Sequence, residues 1–311
     1  MVKISFPDVG ECEVTIGCDP ELFIKETKTG QFVCADGLVP GTKEDPHTHK
    51  YGMLQADGMA CEFGIRPVRT LDGFTFRIRK CIDYAQDWLD THHGKGKFSL
   101  HIGSGASMST AEFSEEILEK APEKAKELGC NPDFNAWKSG EMNETPNAEG
   151  VFFRTGAGHI HIGFVDYYKK KFGRPFVPDV DHPEHIEMCN ILTKMLDYYI
   201  GVPSLCWDTD TKRRRLYGKA GAHRRKPYGI EYRTLSNSWL KHKTLQQYVF
   251  KQTVFAIRDL SNGLVPFSED YFSTQKCIDE GVLSQSFSLV QKFDNKLPKP
   301  PKGMKRIQQS A

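Results

Sequence analysis

Neither sign of charge dominates this chain. Lys and Arg (42) nearly balance Asp and Glu (40), so global charge gives no reason to expect nucleic acid or a membrane as partner. Long apolar runs are missing too: none approaches the roughly 20 residues of a membrane span. The first residues, MVKISFPDVGECEV, lack the charged start and apolar core of a signal peptide. Nine cysteines are scattered without a CxxC pair, and their odd number argues against a disulfide framework or a zinc ribbon. A reducing cytoplasm is the expected location, with most thiols serving as core residues. There is no GxSxG elbow, no Walker-type phosphate loop, no Rossmann GxGxxG and no HExxH. The glycines of TGAGHIHIG enter a strand pattern rather than a helix, which excludes a dinucleotide loop.

What is present is alternation. Residues 11–24 set Cys12, Val14, Ile16, Cys18 and Leu22 against Glu11, Glu13, Thr15, Asp19 and Glu21, the period of a half-buried strand. Pro20 would remove one ladder hydrogen bond, so this strand is expected at an edge or with a bulge. After the turn signal Asp57-Gly58, residues 59–66 set Cys61, Phe63 and Ile65 against Glu62, Gly64 and Arg66. Two further strands are expected at 158–165, with His159 and His161 on the polar face, and at 229–235, with Glu231 and Arg233 there. Helical spacing predicts helices at 71–93, 111–128, 183–200 (capped by Asp181 ahead of Pro183), 243–261 and about 275–281. The expectation is one domain over 1–290, with 103–150 a candidate substrate-specific insertion and 291–311 a basic, Pro-rich mobile tail.

Pooled, the four polar faces hold Asp19, Glu21, Glu62, Arg66, His159, His161, Glu231 and Arg233, with no Lys. A single Glu on a strand is more often a solvated surface group than a ligand, and HxH alone has many chance matches. Repetition across four strands is what points to a site. Crowded carboxylates repel unless cations sit between them, and oxygen donors with an imidazole suit Mg²⁺ or Mn²⁺. Arginines match phosphate oxygens in bidentate fashion. The segment 212–226, KRRRLYGKAGAHRRK, carries eight Lys or Arg and no acid. It reads as a phosphate clamp, with Gly218 and Gly221 allowing close backbone approach, or else as a solvated or nucleic-acid-binding loop.

In this order, GCDPELF, DGMACEFGIRP, GAGHIHIGF and YGKAGAHRRKPYGIEYRTLSN resemble the phage-type COOH–NH2 ligases (amidoligase type 2). That group is similar to glutamate–cysteine ligase and, more distantly, to glutamine synthetase. The resemblance implies an α+β fold: a curved antiparallel sheet shaped as a funnel, helices outside, and a nucleotide with divalent ions inside. It implies metal ligands at Asp19, Glu21, Glu62, His159 or His161, and Glu231, with Asp57 nearby. ATP and Mg²⁺ or Mn²⁺ are the expected cofactors. Arg213, Arg215, Lys219, Arg224, Arg225 and Arg233 would hold the nucleotide, and Arg233, Arg215 and Arg224 would act in catalysis. The reaction expected is amide formation: a substrate carboxylate attacks the γ-phosphate, and an amine captures the acyl phosphate. Two other readings stand beside it, a nucleic-acid-binding or scaffolding protein using 212–226 and a metal-dependent hydrolase using the HxH pair. The acid, the amine and the oligomeric state are not specified by the sequence.

Overall fold

The computed structural model describes residues 1–102, 108–126, 133–144, 152–177, 179–264 and 271–282, the side chains of Lys124, Lys126, Arg215 and residues 271–273 excepted. The tail expected at 291–311 and parts of 103–150 lie outside the described residues.

The principal sheet is antiparallel and open. Its strands are β1 (Thr15–Leu22), β2 (His47–Thr48), β3 (Gly52–Asp57), β4 (Ala60–Ile65), β5 (Phe134–Asn135), β6 (Glu141–Met142), β7 (Gly158–Gly163), β8 (Ala222–Lys226) and β9 (Gly229–Tyr232), in the spatial order β6-β5-β8-β9-β7-β1-β4-β3-β2. The four strands expected from alternation are all present at its centre. The β3–β4 pairing is a hairpin turned at Gly58, whose positive φ of 58° suits glycine.

Helices α1 (Leu71–His93), α2 (Pro183–Leu196) and α4 (Lys243–Ser261) cover the apolar face, while the short α3 (Lys212–Leu216) feeds β8. Thr70 caps α1 by accepting from Gly73 N–H at 3.1 Å, and the stripe Phe74, Ile78, Cys81, Ala85 and Leu89 is buried. That stripe packs in one core with Ile16, Cys18, Phe63, Ile160, Ile162 and Ile230 from the strands and Leu192, Met195 and Val249 from α2 and α4. The cysteines among the described residues form no disulfide. No helix among the described residues is long and apolar enough to cross a membrane.

Several expectations are corrected. Residues 11–24 are not one strand: the chain leaves a hairpin (Gly10–Glu13 with Lys3–Phe6) at Val14 before entering β1. Pro20 lies in an interior strand. Glu21 N–H bonds Ala157 O on the β7 side, so the Pro20 nitrogen faces β4. There the ladder registers only at Glu21–Glu62, Leu22–Cys61 and the Ile16–Val68 bridge, so no hydrogen bond is sacrificed. Residues 111–128 are not one helix: Thr110–Glu112 pairs with Phe153–Thr155, and helices Glu115–Lys120 and Glu123–Lys126 are separated at Pro122. His182, not Asp181, caps α2, and Asp181 instead pairs with Arg225 at 2.9 Å.

After Leu196 the helical path runs on as one π turn, Asp197–Gly201. It presents Asp197, fully buried, to Trp137 Nε1 (2.6 Å), Gly221 N–H (2.7 Å), Tyr232 O–H (2.8 Å) and Thr234 O–H (3.2 Å). Burial pushes its carboxyl up to about 7 against these donors. This one side chain ties the helical layer to the basic segment and to β9.

Candidate active site

The register brings the polar residues of separate strands into rows. Arg224, Glu231 and His161 are successive cross-strand partners on β8, β9 and β7. His159 on β7 faces Asp19 on β1, and Glu21 faces Glu62 on β4, which in turn faces Gln55 on β3. Two clusters result whose candidate ligand atoms lie within 4.8 Å of one another: Asp19 with His161 and Glu231, and Glu21 with Asp57 and Glu62.

In the first cluster His161 Nε2 is 2.9 Å from Asp19 Oδ2, and its Nδ1 meets Tyr228 O–H at 2.5 Å. His159 Nδ1 lies 3.4 Å from Asp19 and 3.6 Å from Glu231. Burial would raise the Asp19 carboxyl, but His161 and His159 outweigh it and hold it well below the usual carboxylate range. For His161 the Asp19 carboxylate wins over burial and raises the imidazole. Burial and the Arg233 guanidinium push His159 down to about 4 despite Asp19. Glu231 is 2 % exposed and surrounded by cations: Lys226 at 2.7 Å, Arg224 at 3.8 Å, and Arg233 donating to Oε1.

The second cluster has the opposite imbalance. Burial and the Asp57 charge push Glu21 up to about 7. Burial, then Asp19, Asp57 and Glu21, push Glu62 well above the carboxylate range. Gln55 Nε2 donates to Glu62 at 3.2 Å and Lys43 lies 3.4 Å from Asp57.

These donors fit a divalent cation. Asp19 Oδ1 and His159 Nε2 are buried and have no hydrogen-bond partner among the described residues, and the three carboxylates of Glu21, Asp57 and Glu62 crowd together, with Lys43 paired to Asp57 among them. Carboxylate oxygens with one imidazole are the donor set of Mg²⁺ or Mn²⁺. Two cavities flank the clusters. One, of about 620 Å³, is lined by Gly17, Asp19, Met53, Gly64, His161 and Tyr228, with exposed Arg66 also at its wall. The other, of about 290 Å³, is lined by Glu21, Phe23, Asp57, Met59, Arg154 and Tyr217.

The six expected metal ligands therefore come together, and so do Arg224 and Arg233. The rest of the basic segment is spent differently. Arg213 is fully buried and donates to the carbonyls of Thr234 and Leu235, both at 2.8 Å. Gly218, at φ 71°, leaves room for that guanidinium, which an added Cβ would strike. Arg225 points to the opposite face, stacked 3.5 Å from the Phe134 ring centroid. Lys219 is exposed, and the Arg215 side chain lies outside the described residues.

Lys226, Tyr228, Gln55 and Asp133 were not anticipated. For Lys226 the signal exists, since AHRRK alternates and sets residues 224 and 226 on one face. Asp133 has no local signal.

Enzymes joining a carboxylate to an amine are the class to which comparison with known proteins leads. Residues 182–271 match the family model of the phage phiEco32-like COOH-NH2 ligase type 2, and this part of the chain is similar to that family. The matched span runs from α2 through the basic segment, β8 and β9 to α4, so it includes Arg224, Lys226, Glu231 and Arg233 but not β1, β4 or β7. No curated protein matches the chain.

Proposed function

We propose that this protein is an ATP-dependent carboxylate–amine ligase working through an acyl phosphate, on a sheet curved like the funnel of glutamine synthetase. One observation carries the reading. The cross-strand register sets two carboxylate-rich clusters side by side on one face, with Arg224, Lys226 and Arg233 gathered on Glu231. Three cations around one carboxylate suit an anionic ligand bound over them, and a polyphosphate has that chemistry.

Asp19, His161 and Glu231 would hold one cation, with His159 adjacent, and Glu21, Asp57 and Glu62 another. Mg²⁺ or Mn²⁺ bound there supplies charge neutralisation to a transferring phosphoryl group. Arg224, Lys226 and Arg233 would neutralise its oxygens, and Tyr228 orients the His161 ring. The larger, mostly apolar cavity receives the base of the nucleotide. The smaller, charged cleft would receive the carboxylate substrate. No enzyme nucleophile is needed, because positioning and electrostatics can supply the rate.

The nucleic-acid reading has less support. Arg213 and Arg214 are buried, Arg224 and Lys226 face Glu231, and Arg225 is occupied by Asp181 and Phe134, which leaves little of the segment for an outer patch.

The test is ATP binding and slow ADP formation with Mg²⁺ or Mn²⁺, comparing wild type with Glu231→Gln and Arg233→Ala. Metal-dependent binding lost in both variants is the expected result. A folded wild type that binds no nucleotide with either metal refutes the ligase reading.

A further inference from the structure

Gln55 belongs to none of the sequence motifs and lies outside the family match, yet it stands at the end of the carboxylate row. On β3 it faces Glu62 of β4, and Glu62 faces Glu21 of β1, so three strands bring Gln55, Glu62 and Glu21 into register. Its neighbour Leu54 is fully buried in the core, and alternation turns residue 55 to the opposite face, where the carboxylates are. An amide on that face could be left to water, but Gln55 is only 4 % exposed. Its Nε2 donates to Glu62 Oε2 at 3.2 Å. Its Oε1 is buried and has no hydrogen-bond partner among the described residues.

That oxygen is informative for two reasons. An ionised carboxylate only accepts, so Glu62 fixes the amide with its NH₂ group turned towards it and leaves the carbonyl oxygen for another partner. Buried amide oxygens nearly always have one, so an orphan beside three carboxylates calls for a ligand. A side-chain amide oxygen is a hard, neutral donor of the kind that binds divalent cations together with carboxylates. Glu21, Asp57 and Glu62 already outnumber the charge of one such cation, and their oxygens lie within 4.8 Å of one another. A further ligand without charge completes coordination without adding to that repulsion.

We propose that Gln55 Oε1 is a fourth protein ligand for a divalent cation held by Glu21, Asp57 and Glu62. This inference rests on the cation-binding reading of the site given above. The same amide keeps Glu62 in place through its N–H, so one side chain both ligates the cation and orients a neighbouring ligand.

The experiment is Mn²⁺ binding to the full chain, followed by the EPR signal of free Mn²⁺ and by calorimetry. The proteins are wild type, Gln55→Leu, Gln55→Glu and Asp19→Asn, each checked for folding by circular dichroism. Wild type should bind Mn²⁺ at two sites. Gln55→Leu should weaken one of them by at least about tenfold, the loss that even an outer partner of a metal ligand brings. The site that Asp19→Asn weakens should stay within about twofold of wild type in Gln55→Leu. Gln55→Glu keeps an oxygen at the same reach but has no N–H, and it should bind Mn²⁺ at least as tightly as wild type. Weakening in both Gln55 variants would mean that Gln55 acts only through its N–H on Glu62, and the inference falls. An unchanged isotherm for Gln55→Leu also overturns it. Anomalous diffraction from wild-type crystals grown with Mn²⁺ needs no variant to fold: an ion within about 2.6 Å of Gln55 Oε1 is expected, and an ion among the three carboxylates but out of reach of that oxygen refutes the assignment. A wild type that binds no Mn²⁺ at millimolar concentration removes the cation reading itself, a result distinct from binding that ignores Gln55.

Discussion

Replacing Glu62 by Gln should make the cation-free protein more stable and, at the same time, deaf to cations. Glu21, Asp57 and Glu62 place oxygens within 4.8 Å of one another. At an effective dielectric constant of about 20, two charges at that separation repel by roughly 3 kcal/mol. Glu62→Gln deletes two such pairs. The new amide oxygen can still accept from Gln55, so no hydrogen bond need be lost. Protonation of the raised carboxyls already relieves part of the repulsion, which leaves a net gain of about 2 kcal/mol. For a chain of this size that is a rise in melting temperature of roughly 4 °C in chelator-treated protein. Added Mn²⁺ at about a hundred times its dissociation constant should stabilise wild type by about 2.7 kcal/mol and the variant by much less, so the order of the two melting temperatures reverses. Melting curves with EDTA and across a Mn²⁺ series read both effects. A variant less stable than wild type without cation, or one that gains as much from Mn²⁺, would refute the reasoning.

Asp197→Ala strands the Trp137, Gly221 and Tyr232 donors in the core and should cost about 3–5 kcal/mol in urea unfolding; a loss under 1 kcal/mol would show that its bonds are dispensable. Arg224→Ala should leave stability within about 1 kcal/mol and weaken nucleotide binding about tenfold, whereas Arg213→Ala should destabilise the fold through the carbonyls of Thr234 and Leu235; equal melting temperatures for the two would contradict this division. Burial pushes His185 and His223 down to about 4 from 6.5, so the folded state binds fewer protons than the unfolded one between those values. Stability should therefore be full above pH 6.5 and fall as pH drops towards 4, by up to about 3 kcal/mol per residue, and His223→Gln should flatten the decline in pH-dependent unfolding.

Much of this architecture was legible in the chain itself. Period-two alternation located the four central strands and assigned Asp19, Glu21, Glu62, His159, His161, Glu231 and Arg233 to polar faces, because a strand's two faces are a property of local geometry. Helical spacing located α1 and α4 with the same directness, and it failed at 111–128, where Pro122 outweighs the amphipathic pattern. Read as a loop, the basic segment hid the alternation that turns Arg224 and Lys226 inward and Arg225 outward.

Only the tertiary structure decided the register. That Glu231 faces His161, that Glu21 faces Glu62, and that Asp57 joins them are outcomes of packing between strands far apart in sequence, which no local pattern encodes. The same holds for Arg213, whose charge suggested a phosphate contact in the sequence but whose buried position commits it to backbone carbonyls. It holds most of all for Asp133, an acid in a stretch without motif. Its meaning depends on β5 joining the edge of β8, 100 residues before Arg233 in the chain and 3.3 Å from it in the fold. Sequence fixes which face a side chain takes along its own strand; long-range packing determines which distant charge it meets there.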